Sequence, residues 1–100
     1  MRYIFNTSGN YVAFIQGDNL FSPDCNWIGF IRNANEVYSS TDLSFMGYLS
    51  ADDRILGKKG DLRKLRPLRP LRPLRPLRPL RPLRRLRMPR VAYPYFDIFE

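Results

Sequence analysis

Along the first sixty residues apolar and polar positions alternate in short blocks, with no sustained helical stripe. One five-residue phrase recurs. Tyr11-Val12-Ala13-Phe14-Ile15, Trp27-Ile28-Gly29-Phe30-Ile31 and Phe45-Met46-Gly47-Tyr48-Leu49 each read aromatic, aliphatic, small, aromatic, aliphatic, with methionine in an aliphatic place. Their starts lie 16 and then 18 residues apart. Recurrence at a fixed period marks one supersecondary unit packed against its copies. A second phrase interleaves with the first: Ile4-Phe5, Leu20-Phe21, Val37-Tyr38 and Ile55-Leu56, spaced by 16, 17 and 18. Polar clusters separate the two phrases, at 6–10, 22–26, 39–44 and 57–61 and, between units, at 16–19, 32–35 and 50–53. They are rich in Asn, Asp, Gly and Ser, which supply positive φ or side-chain turn bonds. Short apolar runs bounded by such clusters predict β-hairpins, with strands near 2–6, 11–16, 19–22, 26–32, 35–39, 44–50 and 54–58. Aromatic and β-branched content disfavours helix throughout.

Each unit is thus a two-stranded petal, a short strand followed by a long one with a small residue at its centre. Ala13, Gly29 and Gly47 occupy that central place. A glycine inside a strand marks a bend or a close backbone approach, and its repetition points to one geometric need, such as a kink where each petal turns about a common axis. Three independent bulges are the alternative. A fourth petal begins at Arg54-Ile55-Leu56, and its long strand is missing from the expected place. The segment Val91 to Phe99, with four aromatics, is the candidate for it. Pairing beside the first strand would close the sheet and remove its edges. The fold class read from this is all-β, a small pseudo-symmetric closed or nearly closed barrel of hairpin repeats. Residues 1–60 carry petals one to three and the start of the fourth, 61–90 form an insertion, and 91–100 supply the closing strand.

The insertion is low in complexity. From Leu65 to Pro82 the chain reads Leu-Arg-Pro six times, and Leu83-Arg84-Arg85-Leu86-Arg87 continues it imperfectly. Proline at every third position excludes α-helix and holds each preceding arginine extended. Polyproline II has three residues per turn, so all Pro fall on one edge, all Leu on a second and all Arg on a third. At a rise of roughly 3.1 Å per residue the six copies would extend about 55 Å, a stiff rod expected to project from the domain.

Charge follows the same division. Residues 1–60 hold five basic and six acidic groups, whereas 61–100 hold twelve basic and three acidic, so the net charge of +8 belongs to the tail half. A cationic comb of this kind attracts phosphates, nucleic acid or anionic lipid. The anion-binding candidates are Arg66, Arg69, Arg72, Arg75, Arg78, Arg81, Arg84, Arg85 and Arg87.

Catalytic chemistry is hard to find. There is no His, the commonest general base. Cys25 is alone, which rules out an internal disulfide and a thiolate zinc site. Asp24 beside it would raise rather than lower its pKa, so an inert thiol is expected. Asp18 and Asp52-Asp53 lie in turns and read first as turn formers. Gly57-Lys58-Lys59-Gly60 lacks the spacing of a phosphate loop. Trp27 opens a long strand, where core packing or a ligand contact at the rim would suit it. The apolar runs are strand-sized, so neither a secretory signal nor a transmembrane helix is expected.

On Trp27-Ile28-Gly29-Phe30-Ile31, Phe45-Met46-Gly47-Tyr48-Leu49 and the Leu20-Phe21 and Val37-Tyr38 pairs, the chain resembles the four-fold beta-flower domain family, over residues 1–60 and the terminal strand. Ala13 in place of Gly and the inserted arm are the departures. The resemblance implies a small, mostly bacterial protein with a shallow pseudo-symmetric barrel, somewhat like Tubby-type domains, from which no binding residue carries across. The expected function is a non-enzymatic binding module without cofactor or metal. It would be cytoplasmic or peripheral to a membrane, its arm engaging an anionic membrane surface. Nucleic acid is the alternative partner, because arginine also stacks on bases. A functionally neutral, repeat-expanded loop is the third reading.

Overall fold

The computed structural model describes residues 1–60 and 65–100. Eight strands follow one another as an antiparallel meander: β1 (Arg2–Phe5), β2 (Tyr11–Gln16), β3 (Asn19–Phe21), β4 (Trp27–Arg32), β5 (Glu36–Ser39), β6 (Phe45–Leu49), β7 (Ile55–Lys58) and β8 (Tyr95–Asp97). The sheet curls into a nearly closed, shallow half-barrel, a disc of 36 × 35 × 19 Å. The seven strands expected in residues 1–60 are all present. The eighth is shorter than the segment that was expected to supply it.

The two recurring phrases do different work. The first residue of each aliphatic-led pair, Ile4, Leu20, Val37 and Ile55, is wholly buried, and the four share one cluster with Ala13, Ile15 and Ile31. This is a hub to which each petal contributes one aliphatic side chain. The second residue of the pair points to the opposite face, as strand alternation requires. Phe5 and Phe21 accordingly join Tyr11, Phe14 and Cys25 in a second, aromatic cluster. Phe30 and Tyr38 continue the aromatic layer, with ring centroids 5.8 Å apart and nearly parallel planes.

A bulge sits at the same place in the first three petals. Ile4 faces Ala13 and Phe5 faces Tyr11, skipping Val12. Leu20 faces Gly29 and Phe21 faces Trp27, skipping Ile28. Val37 faces Gly47 and Tyr38 faces Phe45, skipping Met46. The extra residue bends the strand and increases its twist. Val12, Ile28 and Met46 thereby pack against the hub. Directly after the bulge the neighbouring petal comes close. A Cβ on Gly29 would lie 2.6 Å from the Tyr38 carbonyl oxygen, and one on Gly47 would lie 2.7 Å from that of Leu56.

The sheet does not close by a β1–β8 ladder, as the sequence suggested. β8 pairs with β7, Leu56 opposite Asp97 and Gly57 opposite Phe96. The gap to β1 is bridged by other groups. The Asp97 carboxylate accepts from the Thr7 N–H at 2.7 Å and the Thr7 hydroxyl at 2.8 Å, and the Phe5 N–H donates to the Asp53 carbonyl at 2.9 Å. β8 is three residues long and pairs on one side only, with β7. The polar turn of petal one meets its other side.

Gly29→Ala and Gly47→Ala each place a methyl group against backbone that cannot step aside. Each should cost about 1–3 kcal/mol, the usual scale of overpacking, and so lower the melting temperature by several degrees in a domain of this size. Calorimetry of the two variants checks this.

Candidate functional site

The arm runs from Leu65 to Arg90 without helix or strand. It does not project. The longest dimension of the molecule is 36 Å, shorter than the extended length of the repeats alone. The arm bends round the disc, and its contacts visit the petal turns in the order three, two, one. Arg69 donates to the carbonyls of Ser40 (2.6 Å) and Thr41 (3.1 Å) in the third turn. Arg75 donates to the Asp24 carbonyl (2.8 Å) and Arg78 to the Asp24 carboxylate (3.1 Å) in the second. Arg84 donates to the Ser8 carbonyl (3.1 Å) in the first. Local period sets the shape of a polyproline segment but not its path. The path is set by turn carbonyls, which need donors wherever no ladder supplies them.

Of the three edges expected, burial sets the proline edge apart from the other two. Every proline from Pro67 to Pro82 is half-buried, while the leucine and arginine of each repeat are exposed. Leucines 65 to 86, at every third position, are 89–94 % exposed. The proline edge therefore faces the body, and the leucine edge faces water along the full length of the arm. Where the arm crosses petal one it meets aromatic side chains. The Tyr3 hydroxyl bonds the Leu80 carbonyl, Arg81 lies 5.8 Å over the Tyr11 ring, and Arg85 lies 4.0 Å over Phe5. A cation over a ring face is attracted by its quadrupole.

The far end of the arm is built into the fold. The Arg85 N–H donates to the Gly9 carbonyl (3.0 Å) and the Met88 N–H to that of Thr7 (2.8 Å). The passage is so close that a Cβ on Gly9 would sit 2.0 Å from the Arg85 carbonyl oxygen, and Gly9 has φ +90°. Asp53 receives both Arg2 and Arg85. Burial pushes the Asp53 carboxyl upward, but the two guanidiniums outweigh it, and its pKa lies below the ordinary value of 3.8. Arg54 is buried; it pairs with Asp52 and also reaches the Thr7 hydroxyl (3.1 Å) and the Pro89 carbonyl (2.8 Å). That pairing with Arg54 is the chief reason the Asp52 pKa is lowered.

Among the sequence-derived candidates, Arg69, Arg75, Arg78, Arg84 and Arg85 meet the petal turns and Arg81 meets a ring. Arg66 has only a minor electrostatic effect on Asp42, whose pKa is lowered mainly by hydrogen bonds from Ser44. Arg72 stands with Pro73 beside Trp27 and Phe21 around a cavity of about 160 Å³. Arg87 faces a larger cleft. Trp27 is half-buried, with its indole N–H on Asn19 Oδ1 at 3.1 Å. Lys59, weighed in the sequence only as part of a rejected phosphate loop, lines the larger cleft with Arg87 and with Arg90 and Tyr93, which were not singled out as site residues. The density of basic and aromatic residues between 87 and 95 was the available signal. Among the described residues no group of His, Cys, Asp and Glu could hold a metal ion, and no helix is long and apolar enough to cross a membrane.

The described residues thus form an eight-stranded all-β disc of hairpins about a common hub. The family model for 4-fold beta flower protein matches residues 2–96, and the chain belongs to that family. No curated protein matches, and no solved structure matches. The family match speaks to architecture and names no ligand.

Two measurements probe the strap. Deleting Leu71 to Pro76 shortens the path between the third and first turns, so the Arg69 and Arg84 contacts cannot both form. The melting temperature should fall by several degrees, whereas a neutral loop would leave it unchanged. Acidification tests the anchor at Asp53 and Asp52. A carboxylate with a depressed folded-state pKa contributes stability that is present above its unfolded value and lost as pH falls through the folded one. Stability should therefore decline below about pH 4, and Asp53→Asn should show a shallower decline in melting temperature between pH 5 and 2.

Proposed function

We propose that this protein is a non-enzymatic binding module that docks peripherally on anionic membrane surfaces through the outer edge of its arm. The observation that carries this reading is the leucine edge. Eight aliphatic side chains in a row, each about nine-tenths exposed, form a larger apolar stripe than a soluble monomer ordinarily shows to water. Arginines interleave with them. An apolar edge flanked by cations suits a lipid interface, where leucines enter the acyl boundary and guanidiniums stay at the headgroups. Near an anionic leaflet each basic residue adds about 1 kcal/mol. The contacts to petal turns do not exhaust the arginines, since a guanidinium has five N–H donors. Nucleic acid would engage the arginines equally well but leaves the leucine edge without a partner. The reading places the protein in the cytoplasm, at the membrane face.

The test is co-sedimentation with vesicles at about 150 mM salt. Vesicles containing phosphatidylglycerol should recover the protein, and neutral phosphatidylcholine vesicles should not. A variant with Leu68, Leu71, Leu74 and Leu77 changed to Gln keeps every arginine and should bind the anionic vesicles at least about tenfold more weakly, given roughly 1.5–3 kcal/mol for each buried leucine. Undiminished vesicle binding by that variant, together with a salt-sensitive shift of duplex DNA, would instead support the nucleic-acid reading.

A further inference from the structure

Between the end of the arm and the β7–β8 hairpin lies a cleft of about 850 Å³. Its size falls within the range of roughly 300–1,000 Å³ typical of small-molecule sites. Three cations, Lys59, Arg87 and Arg90, line it together with the rings of Tyr93, Tyr95 and Phe96. Tyr93 is 82 % exposed, and the other two rings are exposed by more than two-fifths.

The charges of the cleft are not balanced internally. Its two carboxylates offset two of the three positive charges, and both are held by neutral donors rather than by the cations. Asp97 accepts from Thr7 through one oxygen and from the Phe99 N–H at 3.0 Å through the other. Glu100 accepts from the Ser8 hydroxyl at 2.6 Å. None of the three cations has a carboxylate partner among the described residues. The walls are held on both sides. The Lys59 N–H donates to the Pro94 carbonyl at 2.7 Å and the Met88 N–H to that of Thr7. Arg54 holds the Pro89 carbonyl, and the Phe96 ring covers Gly57, where a Cβ would lie 2.4 Å from it.

We infer that this cleft binds a small phosphorylated ligand with a planar aromatic body, of the mononucleotide class. The cations take the phosphate by charge-assisted hydrogen bonds, and the exposed rings give the base a stacking surface. Inorganic phosphate alone would leave the rings idle, and a neutral aromatic would leave the cations idle. The site is separate from the leucine edge, so it stands or falls independently of the membrane reading.

The experiment is calorimetric titration of the full chain with adenosine monophosphate in the absence of lipid. Adenosine, ribose 5-phosphate and inorganic phosphate are the comparison ligands. Saturable binding of one nucleotide per chain is expected, at least about tenfold tighter than any of the three fragments. Arg87→Gln with Arg90→Gln should weaken it by about tenfold or more, given the usual strength of hydrogen bonds to charged groups, and Tyr93→Ala by about fivefold or more. Arg66→Gln with Arg72→Gln lies outside the cleft and should leave binding unchanged. These side chains are exposed, so unchanged melting temperatures would show that the variants fold. No saturation at millimolar nucleotide overturns the inference. So does an equal loss from the Arg66 and Arg72 pair, which would show diffuse attraction to the arm.

Discussion

The rest of the fold depends on four aliphatic side chains gathered into one buried cluster. Ile4, Leu20, Val37 and Ile55 come from four different hairpins, and none is exposed to solvent. Burial of each contributes about 1.5–3 kcal/mol, and no single hairpin could bury its own. A two-stranded hairpin is marginal in water by itself. The hub therefore makes each petal's stability a property of the set. It also explains the spacing of the sequence, since one aliphatic must arrive at the centre per turn of the chain. The bulges at Val12, Ile28 and Met46 bend each long strand around that centre, and Gly29 and Gly47 let the next petal's backbone close in behind the bend.

A hub this small leaves a wide rim. The disc is 19 Å through and about 35 Å across, and its turns expose carbonyls that no ladder satisfies. The arm answers both needs. Its prolines lack an N–H and ask nothing of the body, while its arginines bring donors to the carbonyls of Ser40, Thr41, Asp24 and Ser8. At the gap between β1 and β8, backbone donors of the arm reach Thr7 and Gly9, and Asp53 and Asp52 fix the adjacent guanidiniums. The insertion thus bridges the gap between β1 and β8.

The petals were legible because hub and bulge each impose a residue type at a fixed period. The pairs led by Ile4, Leu20, Val37 and Ile55 mark the hub, and the small residues mark the close approach. What the sequence could not show was relative placement. The Leu-Arg-Pro period determines three edges but not which edge faces the body, and a rod and a strap have identical sequences. The partner of β8 was equally hidden. Its pairing with β7 follows from Phe96 covering Gly57, a contact across more than thirty intervening residues. The cleft beside it escaped notice for the same reason. Lys59 and Tyr93 are brought together only by that pairing and by the Lys59–Pro94 hydrogen bond.

The edges of the arm also bear on how it can grip the disc and still present the surface proposed for docking. If the same faces had to grip the disc and meet a partner, binding would require the strap to let go. The repeat separates them. Proline turns inward and is half-buried, leucine and arginine are both exposed, and the arginines that reach the turns keep further N–H donors. Adding copies would lengthen every edge at once. The inward edge is bounded by the distance round the rim from the third turn to the first. The number of repeats is therefore constrained by the body it encircles, even where each tripeptide is interchangeable with the next.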